Sequence, residues 1–126
     1  MEKKISFEIK LNYFKVEEFN QPNLPESWRK MDLNLLMLLD NIRHRAGIPF
    51  KINSAYRSPE YNKKIGGVSN SAHCLGKAVD IAATDSKSRF LIIEAALHFG
   101  IQRIGIAKNF IHLDIKDEPI EVAWLY

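Results

Sequence analysis

Two short segments of the chain carry side chains of the types that bind metal ions. His73 and Asp80 belong to the segment that runs from Ser71 to Asp80, and His112 and Asp114 follow near the C-terminus in Phe-Ile-His-Leu-Asp. Zinc is bound by imidazole nitrogens and carboxylate oxygens, and a site with three protein ligands leaves the fourth tetrahedral position for water or substrate. The pattern indicates a mononuclear zinc site with His73, Asp80 and His112 as ligands.

Side-chain alternation explains how these residues can meet. Successive side chains of a strand point to opposite faces of the sheet. In residues 78–82 the apolar side chains alternate with Asp80, and in residues 110–115 they alternate with His112 and Asp114. If both strands belong to one sheet, the carboxylate and the imidazole converge, and the histidine that precedes the first strand can fold back to complete the set.

Each of these residues also has a simpler interpretation. A single histidine in an apolar strand is more often a core or edge residue than a ligand, so His112 by itself does not establish a site. Asp80 is more informative, because a carboxylate between Val79 and Ile81 is costly to bury without a partner or a metal. The combination of residues supports a metal site.

The remaining patterns predict an α+β domain, with helices on one face of a mainly antiparallel sheet and the metal on the other. The spacing of apolar residues, together with helix-capping and helix-breaking residues, predicts two long helices. They cover residues 27–46 and the segment from about Asp85 to before Gly100, and a short helix is predicted over 59–64. The second long helix is expected to bury Phe90, Ile93 and Leu97. Strands are predicted at 49–56, 78–82, 103–107, 110–115 and 121–125, with Lys108-Asn109 as a two-residue hairpin connection.

The metal segment resembles a known family, the zinc D-alanyl-D-alanine carboxypeptidases and L-alanyl-D-glutamate endopeptidases. These enzymes cut peptidoglycan stem peptides, include many phage endolysins, and share a hedgehog-type zinc fold. The family pattern S-x-H-x-x-G-x-A-x-D, followed by a late histidine on a strand, is matched at every fixed position by Ser71, His73, Gly76, Ala78 and Asp80. The resemblance covers about residues 14–126, including residues 54–62 and 122–126.

The resemblance implies one Zn²⁺ per chain and a role for Arg57. The segment around Arg57 is similar to the family's substrate-side arginine segment. A guanidinium there is expected to hold the oxyanion that develops during amide hydrolysis, or to bind a substrate carboxylate through its planar fork. Tyr56 and Trp124 are further candidates to line the cleft.

The chain departs from the family at one position, which bears on the identity of the general base. Many relatives place a catalytic Glu or Asp three residues before the last zinc histidine, and that residue here is Asn109, which cannot act as a base. Asp114, on the strand face of His112, is therefore a candidate catalytic residue. It would accept the proton of the metal water, orient that water, or hold a ligand in place.

The expected function is zinc-dependent hydrolysis of amide bonds in peptidoglycan stem peptides, as carboxypeptidase or endopeptidase, with zinc-activated water as the nucleophile. Two alternatives stay open. One is a non-catalytic, zinc-stabilised module that binds a wall peptide or a protein partner. The other is a cytoplasmic dipeptidase that acts on recycled D,D-dipeptides.

Length and composition fit this interpretation. The 126 residues, 46% of them hydrophobic, predict a single domain over residues 1–126, with residues 1–13 as a possible peripheral segment. The net charge of +3 is spread along the chain, which argues against nucleic-acid binding. Nothing resembles a heptad seam, and a monomer is expected.

The location is also predicted from what the sequence contains. The first ten residues hold no signal-type apolar run, and no stretch of about 18 apolar residues exists, so membrane insertion is not expected. The protein is therefore expected to be cytoplasmic as synthesised. A wall substrate would be reached after release through a phage holin.

Overall fold

The computed structural model describes residues 9–126, which form three α-helices, five β-strands and three 3-10 turns. The helices are α1 (Leu33–Ala46), α2 (Pro59–Lys64) and α3 (Ser86–His98). The strands are β1 (Ile52–Ser54), β2 (Ala78–Ala82), β3 (Arg103–Ile106), β4 (Phe110–Asp114) and β5 (Val122–Leu125). The 3-10 turns are Val16–Phe19, Ser27–Lys30 and Ala72–Leu75. The prediction for residues 1–13 falls largely on residues 1–8, which lie outside the described residues.

All five strands form one sheet, in the order β1-β2-β4-β3-β5. Every pairing is antiparallel except that of β3 with β5. In the central pair, Asp80 of β2 lies directly opposite His112 of β4. The α+β class with a mainly antiparallel sheet is therefore confirmed.

The core lies between one face of this sheet and the two long helices. α1 packs against α3, and α3 packs against β4. The side chains that fill this layer are almost completely buried: Leu35, Leu36, Leu39 and Ile42 from α1, Ile92 from α3, and Val79, Ile81, Ile104, Ile111 and Leu113 from the sheet. The helices thus cover the aliphatic face of β2 and β4, and the opposite face remains for polar side chains.

The first long helix begins later than predicted. Residues 27–30 form a separate 3-10 turn, and α1 begins after Asp32, whose side chain accepts a hydrogen bond from the backbone N–H of Leu35 at 3.2 Å. The predicted start at Ser27 was therefore wrong, because Asp32 is the residue that caps the helix. The apolar side chains at helical spacing in this segment, Leu35, Leu36, Leu39 and Ile42, are fully buried.

The second long helix has the predicted boundaries but buries a different face. Asp85 caps α3 by accepting from Ser88, yet Phe90 and Leu97 are 66% and 59% exposed. The buried residues of α3 are Ile92, Ala95 and Ala96. Apolar residues occupy two stripes of this helix, so periodicity could not decide between them, and the stripe with two alanines faces the core.

The first strand is shorter than the predicted 49–56. Only Ile52–Ser54 pairs with β2, and the register shifts between these two residues. The chain then leaves the sheet, so the backbone carbonyl of Ala55 makes no strand hydrogen bond and can accept one from a side chain. Among residues 9–126, no helix has the length and apolar character needed to cross a membrane.

Gly76 offers a test of the packing beneath the metal segment. Its φ is +70°, and a Cβ there would lie 2.0 Å from the carbonyl oxygen of Lys30. We expect Gly76→Ala to lower the free energy of unfolding by at least about 2 kcal/mol, because backbone strain and a backbone clash combine. Gly47→Ala is the matched control, since Gly47 has the same φ with nothing within 4 Å. Urea denaturation of the metal-free protein measures both, and equal losses would contradict the packing argument.

Candidate metal centre

The segment from Ser71 to Gly76 is a tight turn that delivers His73 to the sheet. The Ser71 hydroxyl accepts from the backbone N–H of His73 at 3.2 Å and so caps the 3-10 turn. Gly76 ends the turn in the left-handed conformation, and its carbonyl accepts from Asp32 N–H at 2.9 Å. The fixed serine and glycine of the sequence pattern therefore have structural reasons.

The structure brings His73, Asp80 and His112 together on the face of the sheet opposite to the helices. Asp80 Oδ1 lies 2.9 Å from His112 Nδ1 and 3.3 Å from His73 Nε2, and one ligand atom from each residue lies within 4.8 Å of the others. All three side chains are buried, with exposed fractions of 3%, 7% and 5% in chain order. This is the group predicted from the two sequence segments.

In each histidine, the ring nitrogen that points away from Asp80 already has a hydrogen-bond partner. His73 Nδ1 lies 2.7 Å from the carbonyl oxygen of Ala55, which can only accept, so this nitrogen carries the proton and Nε2 is free. His112 Nε2 lies 2.7 Å from Asp114 Oδ2, so it donates to the carboxylate and leaves Nδ1 for a metal. Both available nitrogens point towards Asp80.

These donors fit zinc. For metal–ligand bonds of about 2.0 Å, tetrahedral geometry separates neighbouring ligand atoms by about 3.3 Å. The distances from Asp80 Oδ1 to the two imidazole nitrogens, 2.9 and 3.3 Å, are near this spacing, and all three ligand atoms lie within 4.8 Å of one another. Two imidazoles and one carboxylate leave the fourth position for the cleft above the cluster.

Both carboxylate oxygens of Asp114 accept hydrogen bonds. Its Oδ2 accepts from His112, and its Oδ1 accepts from Arg103 Nε at 2.6 Å and from Lys116 N–H at 3.0 Å. The residue is 2% exposed. A carboxylate that holds the outer nitrogen of a ligating histidine fixes its tautomer and ring orientation. Of the three roles left open by the sequence, these contacts favour holding a ligand in place.

The electrostatics of the cluster follow from its hydrogen bonds. Burial alone would raise the pKa of the Asp80 carboxyl, but hydrogen bonds with His112 and His73 outweigh it and place the pKa well below its usual range. Burial of Asp114 is likewise outweighed, chiefly by the bond from His112, and its pKa is lowered. For His112, burial lowers the pKa, while the two carboxylates outweigh it and raise the pKa above its usual value.

Arg57 lies at the edge of the cluster and is held from several sides. Its Nε donates to Ser54 Oγ at 2.9 Å, and its two terminal nitrogens lie 3.3 Å from Asn62 Oδ1 and from Asp80 Oδ2. Its backbone N–H donates to the carbonyl of His73 at 3.1 Å. The sequence identified Arg57 but not Ser54 or Asn62, because neither residue belongs to a spacing that predicts this contact.

A cleft of about 420 Å³ opens above the cluster. One wall is the loop 66–71, which Asn62 holds by donating to the carbonyl of Val68 at 2.7 Å. The other wall is aromatic and includes Trp124, as predicted, whereas Tyr56 is buried elsewhere. The sequence analysis assigned no cleft role to several lining residues, among them Arg103, Phe110, Lys116 and Tyr126.

The aromatic wall depends on Gly105. This glycine lies opposite His112 in β4 and beside Trp124 in β5. A Cβ at this position would lie 2.6 Å from the Tyr126 ring and 2.8 Å from the Trp124 indole nitrogen. Because Gly105 has no Cβ, the Trp124 ring can lie 5.4 Å from the His112 ring, measured between centroids. The predicted two-residue hairpin already aligns Gly105 with His112 and Arg103 with Asp114, so the register was a usable signal.

Asn109 lies in the hairpin connection, away from the cleft. It is exposed, its backbone carbonyl accepts from Ala83 N–H at 2.9 Å, and it is not among the residues that line the cleft. The position that carries a catalytic carboxylate in many relatives is therefore neither acidic nor directed into the site of this chain.

Comparison with known proteins yields one family. The model of the family described as Peptidase M15 matches residues 12–114, which include Arg57 and all of the candidate metal ligands. None of the curated proteins compared with the chain matches it.

The pKa shifts predict an acidic stability optimum for the metal-free protein. The raised pKa of His112 adds stability below its usual 6.5, and this stability is lost as the pH rises through the folded value. The lowered pKa values of Asp80 and Asp114 add stability above 3.8, and it is lost as the pH falls through their folded values. We expect maximal stability between about pH 3.8 and 6.5 in urea denaturation with a chelator present.

The matched variant for this prediction is His112→Gln. It removes the titrating imidazole, so the decline in stability on the alkaline side should become smaller. A stability maximum above pH 8 for the unaltered metal-free protein would contradict the assigned hydrogen bonds.

Proposed function

Because the chain belongs to the peptidase M15 family, the zinc D-Ala-D-Ala carboxypeptidase family, we propose that it hydrolyses amide bonds in peptidoglycan stem peptides. The family match supports a zinc-dependent metallopeptidase. The observation that carries the proposal is the buried group of His73, Asp80 and His112 at the floor of an open cleft. We assign these three residues as the ligands of one zinc ion.

We propose that the metal activates water and that Arg57 binds the substrate. A zinc ion held by His73, Asp80 and His112 would activate water as a nucleophile at neutral pH and would polarise the scissile carbonyl. Arg57 has five N–H donors, of which three are used by Ser54, Asn62 and Asp80. Arg57 lines the cleft, and its two neutral partners, Ser54 and Asn62, hold the guanidinium in place. This arrangement suits a developing oxyanion or a substrate carboxylate.

Asp114 is proposed to hold His112 rather than to take the proton of water. Both of its oxygens accept hydrogen bonds from the protein, and only 2% of the residue is exposed. A general base must lie within hydrogen-bond reach of the proton that it removes. The three hydrogen bonds that the structure gives Asp114 all come from protein groups, those of His112, Arg103 and Lys116, which supports the role of holding His112.

A second candidate function follows from the carboxylates of the cleft. Among the described residues that line it, Asp80 and Asp114 are the only carboxylates, and both are engaged in the cluster. Asn109 adds none. This shortage of a free base favours, as the alternative, a non-catalytic module that uses zinc for stability and binds a wall peptide or a protein partner.

The deciding experiment measures new amino groups released from purified sacculi by the zinc-loaded protein, with bound metal quantified. We expect release by the unaltered chain with about one zinc per chain, and neither zinc nor release with His73→Ala. His98→Ala is the control, because His98 is an exposed histidine at the end of α3. Stoichiometric zinc without release from several wall types would support the binding module instead.

The same assay separates the peptidase subtypes. Free D-alanine among the products identifies a carboxypeptidase, whereas new internal amino termini identify an endopeptidase. A soluble D,D-dipeptide tested in parallel identifies a dipeptidase, which would cleave it and leave sacculi intact.

Arg57→Lys tests the role of the guanidinium. We expect the turnover number on stem peptides, measured with zinc at saturation, to fall about 10²- to 10³-fold, because loss of one oxyanion donor has this cost. Arg89→Lys is the control, since Arg89 donates to the Lys108 carbonyl at 2.9 Å outside the cleft. Turnover equal to that of the control variant would remove Arg57 from the mechanism.

Asp114→Asn distinguishes holding a ligand from acting as a base. If Asp114 holds His112, zinc affinity should fall about 10- to 100-fold, and turnover should return in part when zinc is raised to saturation. Chelator competition and amino-group release measure the two effects. Undiminished zinc affinity with abolished turnover would identify Asp114 as the base.

A further inference from the structure

Arg103 lines the cleft and contacts Asp114, the carboxylate that holds His112. Arg103 of β3 lies opposite Asp114 in the sheet register. Its Nε donates to Asp114 Oδ1 at 2.6 Å, and only 13% of its side chain is exposed. Charge-assisted hydrogen bonds of this length between buried groups are strong.

Two further contacts fix the guanidinium. Its Nη1 donates to the carbonyl oxygen of Pro119 at 2.6 Å, in the segment that leads to β5. Its Cζ lies 5.3 Å from the centre of the Trp124 ring, in cation–π contact. The guanidinium is therefore held in one orientation by a carboxylate, a backbone carbonyl and an aromatic ring.

These contacts form a chain that ends at a candidate metal ligand. Arg103 holds Oδ1 of Asp114, and Oδ2 of the same carboxylate accepts from His112 Nε2 at 2.7 Å. The Nδ1 atom of the same imidazole lies 2.9 Å from Asp80 Oδ1 in the cluster. A rotation of the Asp114 carboxylate would therefore turn the imidazole and move Nδ1 away from the metal position.

We propose that Arg103 is a positioning residue for the metal site, which acts through Asp114 to set the orientation of His112. The inference rests on the proposed metal site but does not require that the protein be a hydrolase. A lysine at this position would keep the charge but lose the planar fork that serves Asp114 and Pro119 together. The charge alone therefore does not replace the arginine.

The test is a double-mutant cycle on metal affinity. Zinc dissociation constants are measured by competition with a chromophoric chelator for the unaltered chain, Arg103→Lys, Asp114→Asn and the double variant. We expect Arg103→Lys to weaken zinc binding about tenfold or more. In the Asp114→Asn background the same change should have less than about a twofold effect, because residues that act as one unit are not additive. The visible absorption of the Co²⁺-loaded protein should change in Arg103→Lys.

Arg45→Lys is the matched control. Arg45 donates from Nε and Nη2 to Glu94 at 2.9 Å, but this pair lies between α1 and α3 outside the cleft. Zinc affinity and the Co²⁺ spectrum should not change in this variant. Circular dichroism and thermal unfolding of each metal-free variant show whether it is folded.

Three results would overturn the inference. Arg103→Lys with a lowered melting temperature but unchanged zinc affinity would make Arg103 a purely structural residue. Additive effects of Arg103→Lys and Asp114→Asn would show that Arg103 does not act through Asp114. Absence of zinc binding by the unaltered chain would overturn the proposed function and this inference together, and this result is distinct from the other two.

Discussion

The structure depends on the pairing of β2 with β4, which sets a carboxylate opposite an imidazole on the face that the helices do not cover. Asp80 lies between two fully buried aliphatic neighbours, so its charge needs partners within reach. His112, His73 and Arg57 provide them. Because side chains alternate along both strands, burial of the aliphatic face beneath α1 and α3 necessarily presents the ligands on the other face.

The surrounding elements complete the site by occupying the outer nitrogen of each imidazole. The early end of β1 leaves the Ala55 carbonyl for His73, and the β3–β4 hairpin places Asp114 and Arg103 behind His112. The remaining ring nitrogens, His73 Nε2 and His112 Nδ1, then point towards Asp80. A site prepared in this way loses little freedom on binding a metal, and the cleft above it stays open for substrate.

The strand faces that carry Asp80 and His112 were predictable, because the alternation of side chains along a strand can be read from a few neighbouring residues. The face that α3 buries was not, since Phe90 and Ala96 belong to two apolar stripes of one helix and only tertiary packing decides between them. Ser54 and Asn62 were missed because their contacts to Arg57 depend on a strand end and a short helix that fold together. Arg103 could have been found, since the hairpin aligns it with Asp114.

The most direct measurement is a crystal structure of the zinc-loaded protein with anomalous data collected on both sides of the zinc absorption edge. We expect one zinc ion bound by His73 Nε2, Asp80 and His112 Nδ1 at about 2.0–2.2 Å, with Asp114 still hydrogen-bonded to His112 Nε2. Zinc bound through His112 Nε2, with Asp114 in place of Asp80, would contradict this expectation.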